Sequence, residues 1–181
     1  MIMSPASRKF MLTMHIAVSV GWLGAVAVFL VLAFAAVTSV DIQTVRAAYL
    51  SMDVMARFAL VPLSLVSLLT GLILALRTKW GLFRHYWVLA KLVINVLASV
   101  VLLLYTQTLN FFAAIAAQTT WSHNDLLVLQ SPSTILHSGA AGLLLLIATI
   151  LSVYKPQGLT RYGWRKQQQR HSTSQPVEAE L

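Results

Sequence analysis

The sequence contains no cysteine. That removes disulfides, iron–sulfur ligation, thiolate zinc sites and thiol nucleophiles, and it leaves the redox compartment undetermined. Acidic residues are nearly as scarce, with five Asp and Glu against thirteen Lys and Arg. None of the five falls in a long apolar run, so the paired carboxylates of acid–base catalysis and the embedded carboxylates of ion-coupled transport are both missing. No inverted repeat supports transport either. There is no glycine-rich phosphate loop, no nucleophile elbow, no internal repeat and no low-complexity tract. Polar-patterned segments long enough to bury a core of their own are lacking as well, so no soluble domain is expected between the apolar runs.

What is present is hydrocarbon-like sequence. Hydrophobic residues make up 58% of the chain and charged residues 10%, the mean hydropathy is +0.76, and the charges cluster between apolar runs. This composition predicts an all-α, polytopic membrane protein, since about 20 apolar residues cross a bilayer. Four spans are expected, at residues 10–38, 58–76, 86–106 and 132–154, in one transmembrane domain covering 1–155. A basic, disordered tail should follow over 156–181. The first run is too long for a signal-peptide core and is read as an uncleaved span.

Local signals fill in this outline. Asp41 suits a helix N-cap, and Ile42, Val45, Tyr49, Met52 and Met55 recur at helical spacing, which makes Val40 to Arg57 an amphipathic lead-in to the second span. Pro62 should bend the chain there. Leu109 to Ala117 extends the third helix, Gln118 to Ser131 is a polar connection, and Ser131–Pro132 opens the fourth span. On the first span His15, Ser19, Trp22 and Val26 share one face, while Ala17, Gly21, Gly24 and Ala25 form a second, small-residue face suited to close helix packing. Ser64, Ser67, Gly71 and Ala75 line the second span as a packing stripe. Lys and Arg concentrate at the N-terminus, in the second loop and in the tail, and the third loop has none. The positive-inside rule therefore puts both termini in the cytoplasm.

With that orientation, the helical rise places His15 roughly 9 Å beyond Lys9 and Lys91 roughly 10 Å beyond Arg84, at a common level. Ser19 and Asn95 match one step deeper. Lys91, Asn95, Ala98 and Leu102 share a face of the third helix, with Trp87 one turn below. Two readings of this face are open: an inner-leaflet pocket around His15, Ser19, Trp22, Trp87, Lys91 and Asn95, or a lysine that snorkels to headgroups and an asparagine that bonds a neighbouring helix. In a pocket, His15 is a candidate axial ligand for haem b, with Met11, Lys91 or no protein group as the sixth ligand. His137 enters from the opposite side and cannot pair with His15, and a bis-histidine site would need His85. A copper set of His123, Asp125, His137, Met52 and Met55 is the other metal arrangement available. The hinge over residues 77–87 alternates cations with aromatics, which fits anionic lipid headgroups and the aromatic belt rather than nucleic acid.

His15 followed by Gly21, Trp22 and Gly24, then Trp80, Gly81 and the segment from Trp87 to Lys91, then His137, resembles a family of small bacterial four-helix predicted integral membrane proteins of unknown function. That resemblance covers nearly the whole chain except the tail and implies the fold and a multi-pass place in the bacterial inner membrane. More distantly, His15 and Lys91 resemble the histidine and lysine of haem-associated membrane protoporphyrinogen oxidases, and the layout is similar to copper-resistance membrane proteins. Residues Ala35 to Ser39 lack the proline and arginine of the oxidase pattern, so haem binding, with redox activity, is what that resemblance implies. The functional expectation is thus cofactor or small-ligand binding in the inner leaflet, haem b first. Its rival is a non-catalytic membrane protein that binds a partner protein, lipids or a second copy of itself.

Because the chain has no native cysteine, Ser122→Cys and Ser172→Cys each give a clean single label. In intact cells an impermeant maleimide should modify position 122 only. Labelling at position 172 instead would reverse the orientation.

Overall fold

The structure is a computed structural model, and the residues described are 4–77, 81–156 and 158–173. Lys79 and Trp80 of the expected hinge and residues 174–181 of the expected tail lie outside them.

The helix α1 (Pro5–Thr38) starts where Ser4 Oγ accepts the Ser7 amide with proline at the first helical position, the combination that best satisfies an N-terminus. Asp41 caps α2 (Ile42–Met55) as the sequence predicts, accepting from the Gln43 and Thr44 amides. Hydrogen bonds from the Thr44 hydroxyl, then from the Thr44 and Gln43 amides, hold this carboxyl below its ordinary range. A π-helical turn (Ala56–Leu60) joins α2 to α3 (Val61–Arg77), with the Val61 amide reaching back to the Ala56 carbonyl. Pro62 explains the turn, because its ring would clash with the carbonyl four residues back and it has no N–H to donate; one wide turn absorbs both defects without ending the helix. Then come α4 (Tyr86–Ala116), the short α5 (His123–Leu129), α6 (Ser133–Tyr154) and α7 (Arg161–Thr173). No strand occurs among the described residues.

The four elements Pro5–Thr38, Ile42–Arg77, Tyr86–Ala116 and His123–Tyr154 are each long and apolar enough to cross a membrane. The shortest has 31 residues, about 46 Å of helix against a hydrocarbon core of about 30 Å. The bundle is a ring in which α1 touches α3 and α6, and α4 touches the same two from the opposite corner. Successive reversals bring the N-terminus of α1, the end of α3, the start of α4 and the end of α6 to one end, here called the basic end. The exterior is apolar along the helices, from Val20 and Val31 to Leu104 and Leu143, which suits hydrocarbon rather than water.

Packing is concentrated at the far end. Trp22, Val26, Phe29, Ala33 and Ala36 of α1 meet Val45, Tyr49 and Met52 of α2 and Leu109, Phe112 and Ile115 of α4 in one core, with the Tyr49 and Phe112 rings edge to face at 5.5 Å. Arg46 ties this end together. Its guanidinium donates to the Ala116 and Gln118 carbonyls at 2.9 and 2.6 Å, capping the negative end of α4, and lies 5.4 Å over the Trp121 ring. Ser122 and Asp125 form a capping box on α5, and the Tyr49 hydroxyl donates to the buried Leu129 carbonyl. From Pro5 to Gly21, by contrast, no residue of α1 is fully buried.

Three expectations change. The small-residue face of α1 packs only in part: Ala25 lies against the core and Gly21 approaches Leu63, but Ala17 and Gly24 are exposed, and a Cβ on Gly24 would meet nothing. The Trp22 face is buried instead, because large apolar side chains remove far more area from water than alanine or glycine. The tail is not structureless after Lys155, since α7 occupies Arg161–Thr173. Its order comes from backbone pairing with the loop before α4, a contact that hydrophobic periodicity cannot signal. The fourth long helix begins at Ser133 rather than Pro132, with Ser131 Oγ accepting the Ser133 amide at 3.4 Å.

Removing the Tyr49 hydroxyl leaves the Leu129 carbonyl buried and unpaired, a loss of about 1–3 kcal/mol. Tyr49→Phe should therefore unfold at measurably lower temperature in detergent, followed by circular dichroism. An unchanged midpoint would mean that the carbonyl finds another donor.

Candidate functional site

The site grows out of the seam between α1 and α3. His15 and Ser19 lie one turn apart on α1, and Ser67 and Thr70 lie one turn apart on α3 running the other way. The two pairs meet, His15 Nδ1 with Thr70 Oγ1 at 2.9 Å and Ser19 Oγ with Ser67 Oγ at 2.9 Å. Ser64, Ser67 and Thr70 are all buried, so the stripe read as a helix-packing face is one. Gly71 completes the seam. A Cβ there would stand 3.0 Å from His15 Cε1, so the imidazole edge occupies the space that a side chain would take.

The hydrogen-bond geometry fixes the histidine tautomer. Thr70 Oγ1 lies 2.7 Å from the Val66 carbonyl and 3.2 Å from that of Ser67, and carbonyls only accept. The single hydroxyl hydrogen is committed to them, so Nδ1–H of His15 donates to Thr70. In the neutral imidazole Nε2 is then the unprotonated nitrogen. A histidine whose other ring nitrogen is anchored in this way is the usual form of a metal ligand.

Across the ring stands α4. Lys91 and Asn95 are half-buried on this helix. Neither Lys91 nor Asn95 hydrogen-bonds a protein group among the described residues. Ser99, one further turn along, is 3% exposed and its Oγ has no partner. Thr134 Oγ1 of α6 shares this condition at the far end, whereas Thr70, Ser138, Thr149 and Ser152 each donate to a carbonyl four residues back. The described carboxylates, Asp41, Asp53 and Asp125, all lie on or beside α2 and α5 at the far end. Lys91 therefore has no carboxylate counter-ion among the described side chains.

Of the residues expected in the pocket, His15, Ser19, Lys91 and Asn95 lie toward the basic end of the bundle. The hydrogen-bond partners of the first two come from α3 rather than α4. Trp22 is 2% exposed and belongs to the core. Trp87 is half-buried at the start of α4, its ring 6.4 Å from that of His85. His137 lies on the far half, donating through Nδ1 to the Ser133 carbonyl at 2.8 Å and stacked on Tyr105 at 4.2 Å. The copper set is dispersed: Met52 is in the core, Asp125 is committed to its capping box, and no three His, Asp or Glu side chains converge among the described residues. Sequence reasoning missed Ser99 and the direct partnership of Thr70 with His15. For Thr70 the matching depth was a signal; for Ser99, eight residues beyond Lys91, nothing separated it from an ordinary helix serine. Comparison of the chain with family models, curated proteins and solved structures finds no match.

Cysteines at positions 19 and 67 replace two hydroxyls already in contact, so Ser19→Cys with Ser67→Cys should oxidise readily to a disulfide. Ala17→Cys with Ser67→Cys should not, because Ala17 faces outward. Equal yields, read as a gel shift reversed by reductant, would mean that α1 is rotated from this register.

Proposed function

We propose that the four long helices cross the bacterial inner membrane with both termini in the cytoplasm, and that the inner-leaflet half of the bundle binds an anionic, hydrophobic cofactor, haem b. The observation that supports this reading is the contact of His15 Nδ1 with Thr70 Oγ1. It anchors one ring nitrogen, and in the neutral imidazole it leaves Nε2 with a free lone pair. The donor set suits the group. His15 would ligate the iron, and Lys91, a cation with no carboxylate beside it, would hold the propionates. Asn95 and Ser99 offer further polar contacts on the same helix. Bound there, haem would supply one-electron redox chemistry, while the chain's own part is to hold the imidazole in one orientation and keep bulk water away.

A second reading rests on a different observation. The His15–Thr70 and Ser19–Ser67 bonds already join α1 to α3, and interhelical bonds of this kind contribute about 0.6–2 kcal/mol each in a membrane. On that reading the polar groups hold helices together, and the bundle serves a partner protein or lipids.

Absorption separates the two. Protein purified in mild detergent from cells supplied with haem precursor should show a Soret band that His15→Ala abolishes, Lys91→Met weakens and His137→Ala leaves intact. A colourless preparation that also fails to take up haemin would leave the second reading. Loss of the band on His137→Ala alone would move the site to the far half.

A further inference from the structure

The chain after α6 is held to the loop before α4 by its backbone. The Tyr86 amide donates to the Gly158 carbonyl at 3.3 Å and the Thr160 amide to the Arg84 carbonyl at 3.0 Å, forming an antiparallel bridge between His85 and Leu159. The Thr160 hydroxyl donates to the Phe83 carbonyl and accepts the Gly163 amide at 3.1 Å, so one side chain caps α7 and fastens it to the loop. Gly163 makes the fit possible. A Cβ there would lie 2.5 Å from the Arg84 carbonyl oxygen, closer than any side chain tolerates.

This docking gathers cations and aromatics from separate parts of the sequence onto one surface. Arg161, Arg165, Lys166 and Lys155 are exposed. Phe83, Tyr86, Tyr162 and Trp164 are each more than half exposed. No described carboxylate lies at this end. Tyr86 opens α4 and Tyr154, 78% exposed, closes α6, so the surface begins where the apolar exterior of the helices stops. Cations mixed with tyrosine and tryptophan at that level match the headgroup zone of a bilayer. The same mixture on a surface remote from apolar helices would suit single-stranded nucleic acid equally well. Here the position decides for lipid.

We infer that α7 and the loop it is docked to form one binding surface for the anionic phospholipid headgroups of the leaflet in which the basic end sits. α7 is too polar to bury a face in hydrocarbon, so its attachment is electrostatic. Each basic residue near an anionic surface changes the bound-to-free ratio about five-fold, and three together act on the order of a hundred-fold. The attachment weakens as salt screens it.

The test uses the full chain in nanodiscs, with Gln167→Cys carrying the only thiol and a spin label. In discs of equal parts phosphatidylcholine and phosphatidylglycerol, the label should be protected from a water-soluble relaxation agent. In phosphatidylcholine alone it should be accessible, as it should in mixed discs at high salt. Replacing Arg161, Arg165 and Lys166 with Gln should abolish the protection while the far-UV circular dichroism stays unchanged. Gly163→Val, which undocks α7 but keeps every charge, should raise label mobility in both discs. Equal accessibility in the two compositions overturns the proposal, as does protection that survives the triple variant. Protection by added RNA in zwitterionic discs, greater than that given by anionic lipid, would assign the surface to nucleic acid instead.

Discussion

A polar side chain on a helix sheathed in valine, leucine and phenylalanine has little besides the protein to bond to, and most of this structure follows from that constraint. Thr70, Ser138, Thr149 and Ser152 turn their hydroxyls back onto their own helices. Ser19 and Ser67 pair with each other. Arg46 spends its donors on the carbonyls that end α4, and Tyr49 reaches across to Leu129. Each arrangement answers the same requirement, that a buried or lipid-facing donor costs several kcal/mol unless it is met.

The two ends of the bundle answer it differently. At the far end, α2 and the outer part of α4 add a layer of apolar packing around Tyr49, Met52 and Phe112, and polar groups there serve as staples. Toward the basic end, the buried side chains of α3 are the hydroxyl residues Ser64, Ser67 and Thr70, and α1 buries nothing before Trp22. The same four helices thus carry a densely packed end and a less densely packed one.

The helices themselves were legible in the sequence, because apolar length and cap residues such as Asp41 act locally, within a turn or two. The lead-in before Pro62 was legible for the same reason, down to Met52 as a core residue. What could not be read was rotation. A helical wheel orders residues around one axis but does not say which neighbour a face meets, so the bond of His15 to Thr70 of α3 was not foreseen. The face of Ala17 and Gly24 was assigned to packing when the larger Trp22 stripe competes for the same contact and buries more area. Docking of α7 was invisible because it rests mainly on main-chain groups of residues 83–86 and 158–160, and the Thr160 hydroxyl and Gly163 that complete it do not reveal their distant partners in a sequence pattern.

Lys91 is the charged member of a small set of polar groups for which the constraint goes unanswered within the described chain. A lysine at the very centre of a membrane helix costs about 2.5–3.5 kcal/mol on insertion scales, less nearer an end as here, and pairing with a carboxylate is the common remedy. The three described carboxylates are at the opposite end. A cation so placed is stabilised by water that follows it inward or by an anion that comes from outside the chain. Asn95 and Ser99 sit progressively deeper on the same helix with no protein partner among the described residues, so the unmet polarity continues inward past the reach of a snorkelling side chain. On the proposed reading, an anion carried on a hydrophobic body would satisfy both requirements together, replacing water at Lys91. Anionic lipids held at α7 would then compete with it for the positive field of the basic end, so that occupancy of the bundle and attachment of the tail would oppose each other through charge alone.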